Sequence, residues 1–259
     1  AVTAQHRQML DQVLSVFDII PDYDLDLMSK NQTLESLTGK ILNGISDLLK
    51  DIQPDLIFVQ GDTTTTFAAS LASFYQQIPV GHIEAGLRTN NIYSPFPEEI
   101  NRRMTSAIAS YHFPPTPQAE QNLLNEKIDK KNITVTGNTV IDALLMVSKK
   151  VDSDSKKQED NFSHKYGISF NQQKTILVTG HRRESFGKGI ENICNSIKHI
   201  AENNNVQVVY PVHLNPNVQD PVNRILYNLP NVYLIAPQDY VPFIFLMQKA
   251  KRRLVNNNY

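Results

Sequence analysis

The chain has 259 residues, enough for one large or two ordinary domains, and 25 basic against 26 acidic side chains give a formal net charge of -1. This balance argues against nucleic-acid-binding and membrane-surface proteins, which carry a basic excess, but it allows a small anionic ligand bound by a few arginines. The single cysteine, Cys194, lies in an apolar helical pattern, so we expect a buried structural thiol in a cytoplasmic protein.

The first half of the chain alternates short apolar runs with amphipathic ones. Short runs rich in β-branched residues predict strands over residues 56–60, 80–83 and 133–135. Longer periodic runs predict helices over residues 63–75 and 97–110, and a further helix that Asn138 or Thr139 can cap. Residues 152–160 carry no apolar side chain and are interpreted as an exposed linker or a solvated helix start.

The alternation resumes after this polar stretch. Strands are predicted over residues 175–179, 206–210 and 232–235. Helices are predicted over residues 187–201, 218–226 and 240–250. Repeated β–α alternation predicts an α/β protein with parallel sheets covered by helices, and the polar break predicts two such domains, residues 1–165 with a hinge segment and residues 166–259.

Polar side chains follow the predicted strands at the points where each strand ends. In open α/β sheets ligands bind beyond the carboxyl ends of the strands, which selects Asp62, Glu84, His181, His213 and Gln238. All but Gln238 have a purely structural alternative. Asp62 could be the N-cap of the next helix, Glu84 a cap or surface acid, and His213 part of a helix-capping loop.

Two further segments combine charges in a way that suggests anion or proton chemistry. His181, Arg182 and Arg183 follow a predicted strand and could clamp a diphosphate, because guanidinium groups bind phosphate oxygens in a bidentate fork. Glu98 lies in the first turn of a predicted helix, where the helix dipole stabilises its negative charge. It could also form an i,i+4 ion pair with Arg102.

Several common cofactor motifs are absent from the sequence. There is no Gly-rich dinucleotide fingerprint, no phosphate-binding loop ending in Gly-Lys-Ser/Thr, and no Cys-x-x-Cys or His-Glu-x-x-His metal pattern. We therefore expect neither NAD nor a metal, and no cofactor of any kind.

The order of the motifs resembles the bacterial non-hydrolysing UDP-N-acetylglucosamine 2-epimerases. The matching segments are Gln5-His6-Arg7, Gly61-Asp62-Thr-Thr-Thr-Thr66, His82-Ile-Glu84-Ala-Gly-Leu-Arg88, Pro97-Glu98-Glu99-Ile-Asn-Arg102, Thr136-Gly-Asn-Thr-Val-Ile-Asp142, Gly180-His181-Arg-Arg-Glu184 and Pro211-Val-His213-Leu-Asn-Pro216. The resemblance implies two Rossmann-like domains of GT-B type. It also implies cofactor-free interconversion of UDP-N-acetylglucosamine and UDP-N-acetylmannosamine, by UDP elimination to 2-acetamidoglucal and re-addition.

The resemblance also assigns roles to individual residues. It makes Asp62, Glu84, Glu98 and His181 the catalytic candidates, with His181 stabilising the diphosphate. The substrate-binding candidates are Arg102, Arg182, Arg183, Gln238 and Phe243. The candidates for a second, allosteric UDP-N-acetylglucosamine are Gln5, Gln8, Gln32 and His213, with Arg182 nearby. Family members suggest a cytoplasmic homodimer that serves polysaccharide synthesis.

The sequence departs from the family pattern at both ends. The family begins with a strand and a Gly-Thr-Arg-Pro-Glu loop, and it continues past the last helix into an Asp-Ser-Gly-Gly segment, and neither is found here. We therefore expect a fold without the first strand and the end of the second domain, and weak or absent turnover by this chain alone. The alternatives are an inactive or binding-only fragment, a hydrolysing 2-epimerase and a GT-B glycosyltransferase.

Overall fold

The computed structural model describes residues 1–3, 7–27, 32–180 and 187–255, and for residues 8, 9 and 255 it describes the backbone only. The chain divides into two compact units, Ala1–Ala143 and Leu144–Tyr259. Each unit has its own parallel sheet, so the α/β class with two Rossmann-like units is confirmed. Within the described residues no helix combines the length and apolar character needed to cross a bilayer.

The first unit contains a three-stranded parallel sheet in the order β1-β2-β3. Its strands are β1 (Ile57–Gln60), β2 (Val80–Ile83) and β3 (Tyr111–Phe113). Its helices are α1 (Arg7–Val16), α2 (Leu34–Ile52), α3 (Thr64–Tyr75), α4 (Glu98–Ile108) and α5 (Pro117–Asn125), and a short 3-10 helix covers Lys130–Asn132. The division between the units falls within α6 (Thr139–Ser153).

One face of α2 supplies much of the first core. Leu37, Ile41, Ile45 and Leu49 recur every fourth residue, which places them on one side of the helix, and all four are buried. They belong to one hydrophobic cluster with apolar residues of α3, β1 and β2. This packing fixes the strands whose carboxyl ends carry Asp62 and Glu84.

The second unit contains a four-stranded parallel sheet in the order β6-β5-β4-β7. Its strands are β4 (Lys174–Thr179), β5 (Val206–Pro211), β6 (Val232–Ile235) and β7 (Ala250–Val255). Its further helices are α7 (Ser155–Tyr166), α8 (Lys188–Asn203), α9 (Pro216–Leu226) and α10 (Tyr240–Lys249). Cys194 of α8 is fully buried in the core, and burial raises the pKa of its thiol to about 11, which confirms the structural role.

One predicted strand is not formed, and two strands of the structure were not predicted. Residues 133–135 form no strand; Ile133 makes a single bridge to His112, which belongs to the unpredicted strand β3. The segment beginning at Lys251 is part of the parallel strand β7, although its sequence has no apolar period. Both strands depend on pairing with a distant neighbour, which a local pattern does not reveal.

The polar stretch at 152–160 is helical, spanning the end of α6 and the start of α7. Helix α7 packs into the second unit, where Phe162 stacks on Phe245 of α10 with ring centroids 5.6 Å apart. The division after Ala143 therefore precedes the boundary expected after residue 165, because this aromatic contact joins α7 to the second unit.

Candidate active site

Asp62 lies at the turn between β1 and α3. Gly61 makes this turn with φ of +74°. Thr63 caps α3 by accepting a hydrogen bond from the amide of Thr66 at 3.3 Å, so the interpretation of Asp62 as the N-cap was wrong. The Asp62 carboxylate is instead free of the helix and turns toward α4.

Helix α4 holds Asp62 at two points. The Nη2 group of Arg102 donates to Asp62 Oδ2 at 2.6 Å, and the Nδ2 group of Asn101 donates to the Asp62 carbonyl at 2.9 Å. Arg102 is buried and Asp62 is half-buried. A charge-assisted bond shielded from water in this way fixes the direction of the carboxylate.

Glu84 follows β2 in a left-handed conformation, with φ of +65°. Its amide donates to the Phe113 carbonyl at 3.0 Å, which supports a conformation that is otherwise costly for a residue with a side chain. Its Oε2 lies 3.9 Å from where a Cβ on Gly61 would stand, so the carboxylate adjoins the turn that carries Asp62. Burial raises the pKa of Glu84, the charge of Asp62 raises it further, and Arg102 opposes both.

Glu98 begins α4, and its predicted ion pair with Arg102 was wrong. Arg102 bonds to Asp62 and, at 3.4 Å, to Glu99. The Oε2 atom of Glu98 is buried and has no hydrogen-bond partner among the described residues. Burying a carboxylate oxygen without a donor is costly, so this oxygen is a candidate contact for a ligand.

Glu99 is the residue that sequence reasoning missed. Its side chain is fully buried and accepts hydrogen bonds from the amides of Thr89 and Asn90 at 3.0 and 3.2 Å. It also accepts from Arg103 Nε at 3.0 Å. Arginines three and four residues after Glu99 were the available signal, because both spacings return to the same helix face.

His82 supports the same turn from β2. Its fully buried ring donates from Nε2 to the Gly61 carbonyl at 2.7 Å. Burial is the main reason that the pKa of His82 falls to about 4, so the ring is neutral at pH 7. The motif His82-Ile-Glu84 thus joins a structural histidine to a candidate acid.

Gly86 anchors the segment after Glu84 to α5. A Cβ at Gly86 would stand 2.2 Å from the Ala119 carbonyl oxygen, and φ is +84°. The Gly86 carbonyl accepts from Asn122 Nδ2 at 2.9 Å. Only glycine permits this approach of backbone to helix.

Gln238 and Phe243 lie after β6 in the second unit. Gln238 donates to the Tyr166 hydroxyl at 3.3 Å and to the Ala236 carbonyl at 2.6 Å. It lines a cavity of about 510 Å³ together with residues of α7 and Pro242. Phe243 is half-buried in the first turns of α10.

The remaining candidates are placed as follows. His213 is exposed after β5 and accepts from the Asn215 amide at 3.1 Å, beside the cap of α9, which fits the capping-loop interpretation. Gln32 immediately precedes Thr33, the N-cap of α2. The residues Gln5, His181, Arg182 and Arg183 lie outside the described residues, as does the side chain of Gln8.

The first unit therefore brings Asp62, Glu84 and Arg102 together at the carboxyl ends of a parallel sheet. This arrangement defines the class, an α/β protein with a cluster of carboxylates suited to proton transfer. Residues 1–256 match the family model described as UDP-N-acetylglucosamine 2-epimerase, and the chain belongs to that family.

Individual relatives agree with the family model. The chain is 57% identical over 250 residues to the UDP-N-acetylglucosamine 2-epimerase of Salmonella typhimurium and 56% identical to that of Escherichia coli K12, covering 96% of this chain and 66% of each relative. The chain thus spans slightly less than two thirds of these relatives' length.

Solved structures show the same similarity. The UDP-GlcNAc 2-epimerase of Neisseria meningitidis bound to UDP-GlcNAc has a TM-score of 0.91 and 51% identity, covering 100% of this chain and 69% of that one. The UDP-GlcNAc 2-epimerase of Methanocaldococcus jannaschii in complex with UDP-GlcNAc and UDP has a TM-score of 0.78 and 31% identity, covering 98% and 70%. The fold class of GT-B type is thereby confirmed.

Proposed function

We propose that this chain takes part in the interconversion of UDP-N-acetylglucosamine and UDP-N-acetylmannosamine. The observation that carries the proposal is the carboxylate pair of Asp62 and Glu84, one ion-paired and one desolvated, in a member of this family. Two carboxyl groups in different environments suit a reaction that removes a proton from one face of a carbon and returns it to the other.

The reaction needs proton transfer and a leaving group. A base takes the proton at C2, the C1–oxygen bond to UDP breaks, and the electron pair of the C2–hydrogen bond becomes the double bond of 2-acetamidoglucal. Reversal delivers a proton to the opposite face of C2 while a UDP oxygen adds to C1. The raised pKa of Glu84 favours a role in holding the proton.

The other roles are part of the same proposal. Glu98 offers a buried oxygen to the sugar, and His181, Arg182 and Arg183 stabilise the diphosphate. Arg102 binds the substrate while it keeps its hydrogen bond to Asp62. Gln238 and Phe243 hold the uridine, and the cavity beside Gln238 is within the usual size of small-molecule sites.

Three further expectations remain proposals. A second UDP-N-acetylglucosamine binds at Gln5, Gln8, Gln32 and His213 as an activator. The protein is a homodimer, and it works in the cytoplasm.

The test is incubation of the 259-residue chain with UDP-N-acetylglucosamine in deuterated water. Deuterium at C2 of the UDP-sugars supports the proposal. Free N-acetylmannosamine with UDP indicates a hydrolysing enzyme, and binding without exchange contradicts catalysis. Glu84→Gln and Asp62→Asn should abolish exchange, and Asp142→Asn, which changes an exposed carboxylate of α6, should not.

The second candidate is a binding-only protein. The cavity lined by Gln238 in the second unit could hold a ligand whether or not proton transfer takes place, and this observation favours the binding-only interpretation. Calorimetric binding of UDP together with absent deuterium exchange would establish it.

A further inference from the structure

Glu99 is the most completely bonded acidic side chain near the candidate site. It is fully buried and its two oxygens accept four hydrogen bonds, from the amides of Thr89 and Asn90 and from the guanidinium groups of Arg102 and Arg103. None of the proposed catalytic or binding roles involves Glu99. A carboxylate with every contact taken has no oxygen to offer a substrate, so its role must act through its partners.

One partner leads directly to Asp62. The Nη1 atom of Arg102 contacts Glu99 Oε2 at 3.4 Å, while Nη2 of the same guanidinium contacts Asp62 Oδ2 at 2.6 Å. The guanidinium is planar and rigid, so a carboxylate fixed on one of its amino groups determines where the other points. The direction of the Asp62 carboxylate therefore depends on Glu99.

The other partners tie the connecting segment to α4. Thr89 and Asn90 lie between Glu84 and Glu98 along the chain, and their backbone amides donate hydrogen bonds to the Glu99 carboxylate. Burial raises the pKa of Glu99, but the amide of Thr89, the Arg103 guanidinium and the amide of Asn90 outweigh it, so the pKa lies below its usual range. These hydrogen bonds favour the charged form of the side chain.

We propose that Glu99 is a positioning residue that sets the orientation of Asp62 through Arg102. This inference rests on the proposed function for its catalytic consequence, but its structural core is independent of turnover. The two neighbouring acids of α4 then have different roles: Glu98 contacts the ligand, and Glu99 positions Arg102.

The first experiment measures Asp62 without substrate. In protein labelled with ¹³C-aspartate and ¹⁵N-arginine, Glu99→Gln should shift the Asp62 carboxyl signal and release the hindered guanidinium of Arg102. Glu126→Gln is the matched control, because Glu126 ion-pairs the buried Arg88 in the same unit but does not contact Asp62. If Glu99→Gln does not fold, Glu99→Asp, which keeps the charge but shortens the reach of the carboxylate to Arg102, should give an Asp62 shift in the same direction.

The second experiment measures deuterium exchange at C2. Glu99→Gln should lower kcat about 100-fold with KM changed less than about threefold, the pattern of misplaced catalytic geometry. Unchanged Asp62 and Arg102 signals in Glu99→Gln overturn the inference whether or not the chain is active. Shifted signals with unchanged kcat also overturn it. No exchange by the wild-type chain contradicts the proposed function, and the Asp62 signal then decides the inference alone.

Discussion

Acidification should destabilise the first unit through His82. The ring is fully buried on β2, opposite His112 of β3, and burial lowers the pKa from 6.5 to about 4. Well above pH 6.5 the ring is neutral in both the folded and the unfolded chain, so its depressed pKa does not lower the free energy of unfolding. As the pH falls from 6.5 toward 4, the unfolded chain takes up the proton first, so stability is lost across that window.

The size of the loss follows from the shift. The difference between 6.5 and about 4 corresponds to about 3 kcal/mol at 1.36 kcal/mol per unit, fully developed near pH 4. Between pH 7 and pH 5, before most carboxylates titrate, the loss from His82 is about 2 kcal/mol. Burial also lowers the pKa of His112, which adds in the same direction.

Hydrogen-exchange mass spectrometry of peptides covering β2 gives the opening free energy of this unit after correction for intrinsic exchange rates. His82→Gln keeps an amide that can donate to the Gly61 carbonyl but has no titrating ring, so about 2 kcal/mol of the loss between pH 7 and pH 5 should vanish. His199→Gln is the control, because it removes a histidine from an exposed position of α8 and should leave the pH dependence of the β2 peptides unchanged. Equal pH dependence of His82→Gln and wild type would refute the reasoning.

Three further predictions concern the same unit. Thr63→Ala should lower the free energy of unfolding by about 1 kcal/mol, because it removes the N-cap of α3. Urea unfolding measures this loss, with Thr134→Ala at an exposed position as the control variant. Ile41→Ala should cost about 2–5 kcal/mol, because the side chain is fully buried in the core, and a smaller change would contradict that packing. Asp62→Asn should lower the pKa of Glu84 by removing a neighbouring negative charge, which ¹³C NMR titration of the carboxyl signal detects; an unchanged or higher value would show that the two groups are not coupled.

Local patterns predicted the elements that bury a continuous apolar face. The predicted strands over 80–83 and 232–235 coincide with β2 and β6. Tyr111–Phe113 and Ala250–Val255 escaped prediction, because one is only three residues long and the other is rich in lysine and arginine. Both are strands because β2 and β4 offer them backbone partners, and this depends on tertiary structure.

The sequence predicts the site residues that follow the ends of strands. It does not predict those whose role depends on the direction of a side chain on a helix. Asp62 and Glu84 follow neighbouring strands, so the parallel sheet brings them together. Glu98 and Glu99 differ by one residue, or about 100° around the helix, and that rotation decides which one meets Arg102. The sequence shows both acids but not the angle at which α4 faces the sheet.

Gly86 has a consequence for how a substrate would meet Glu84. The peptide backbone here touches α5 so closely that a methyl group would overlap the Ala119 carbonyl oxygen. Movement of this segment toward α5 is therefore blocked, and the bond from Asn122 opposes movement away from it. The backbone that carries Glu84 is therefore held from both sides, which is the kind of preorganisation that electrostatic catalysis requires.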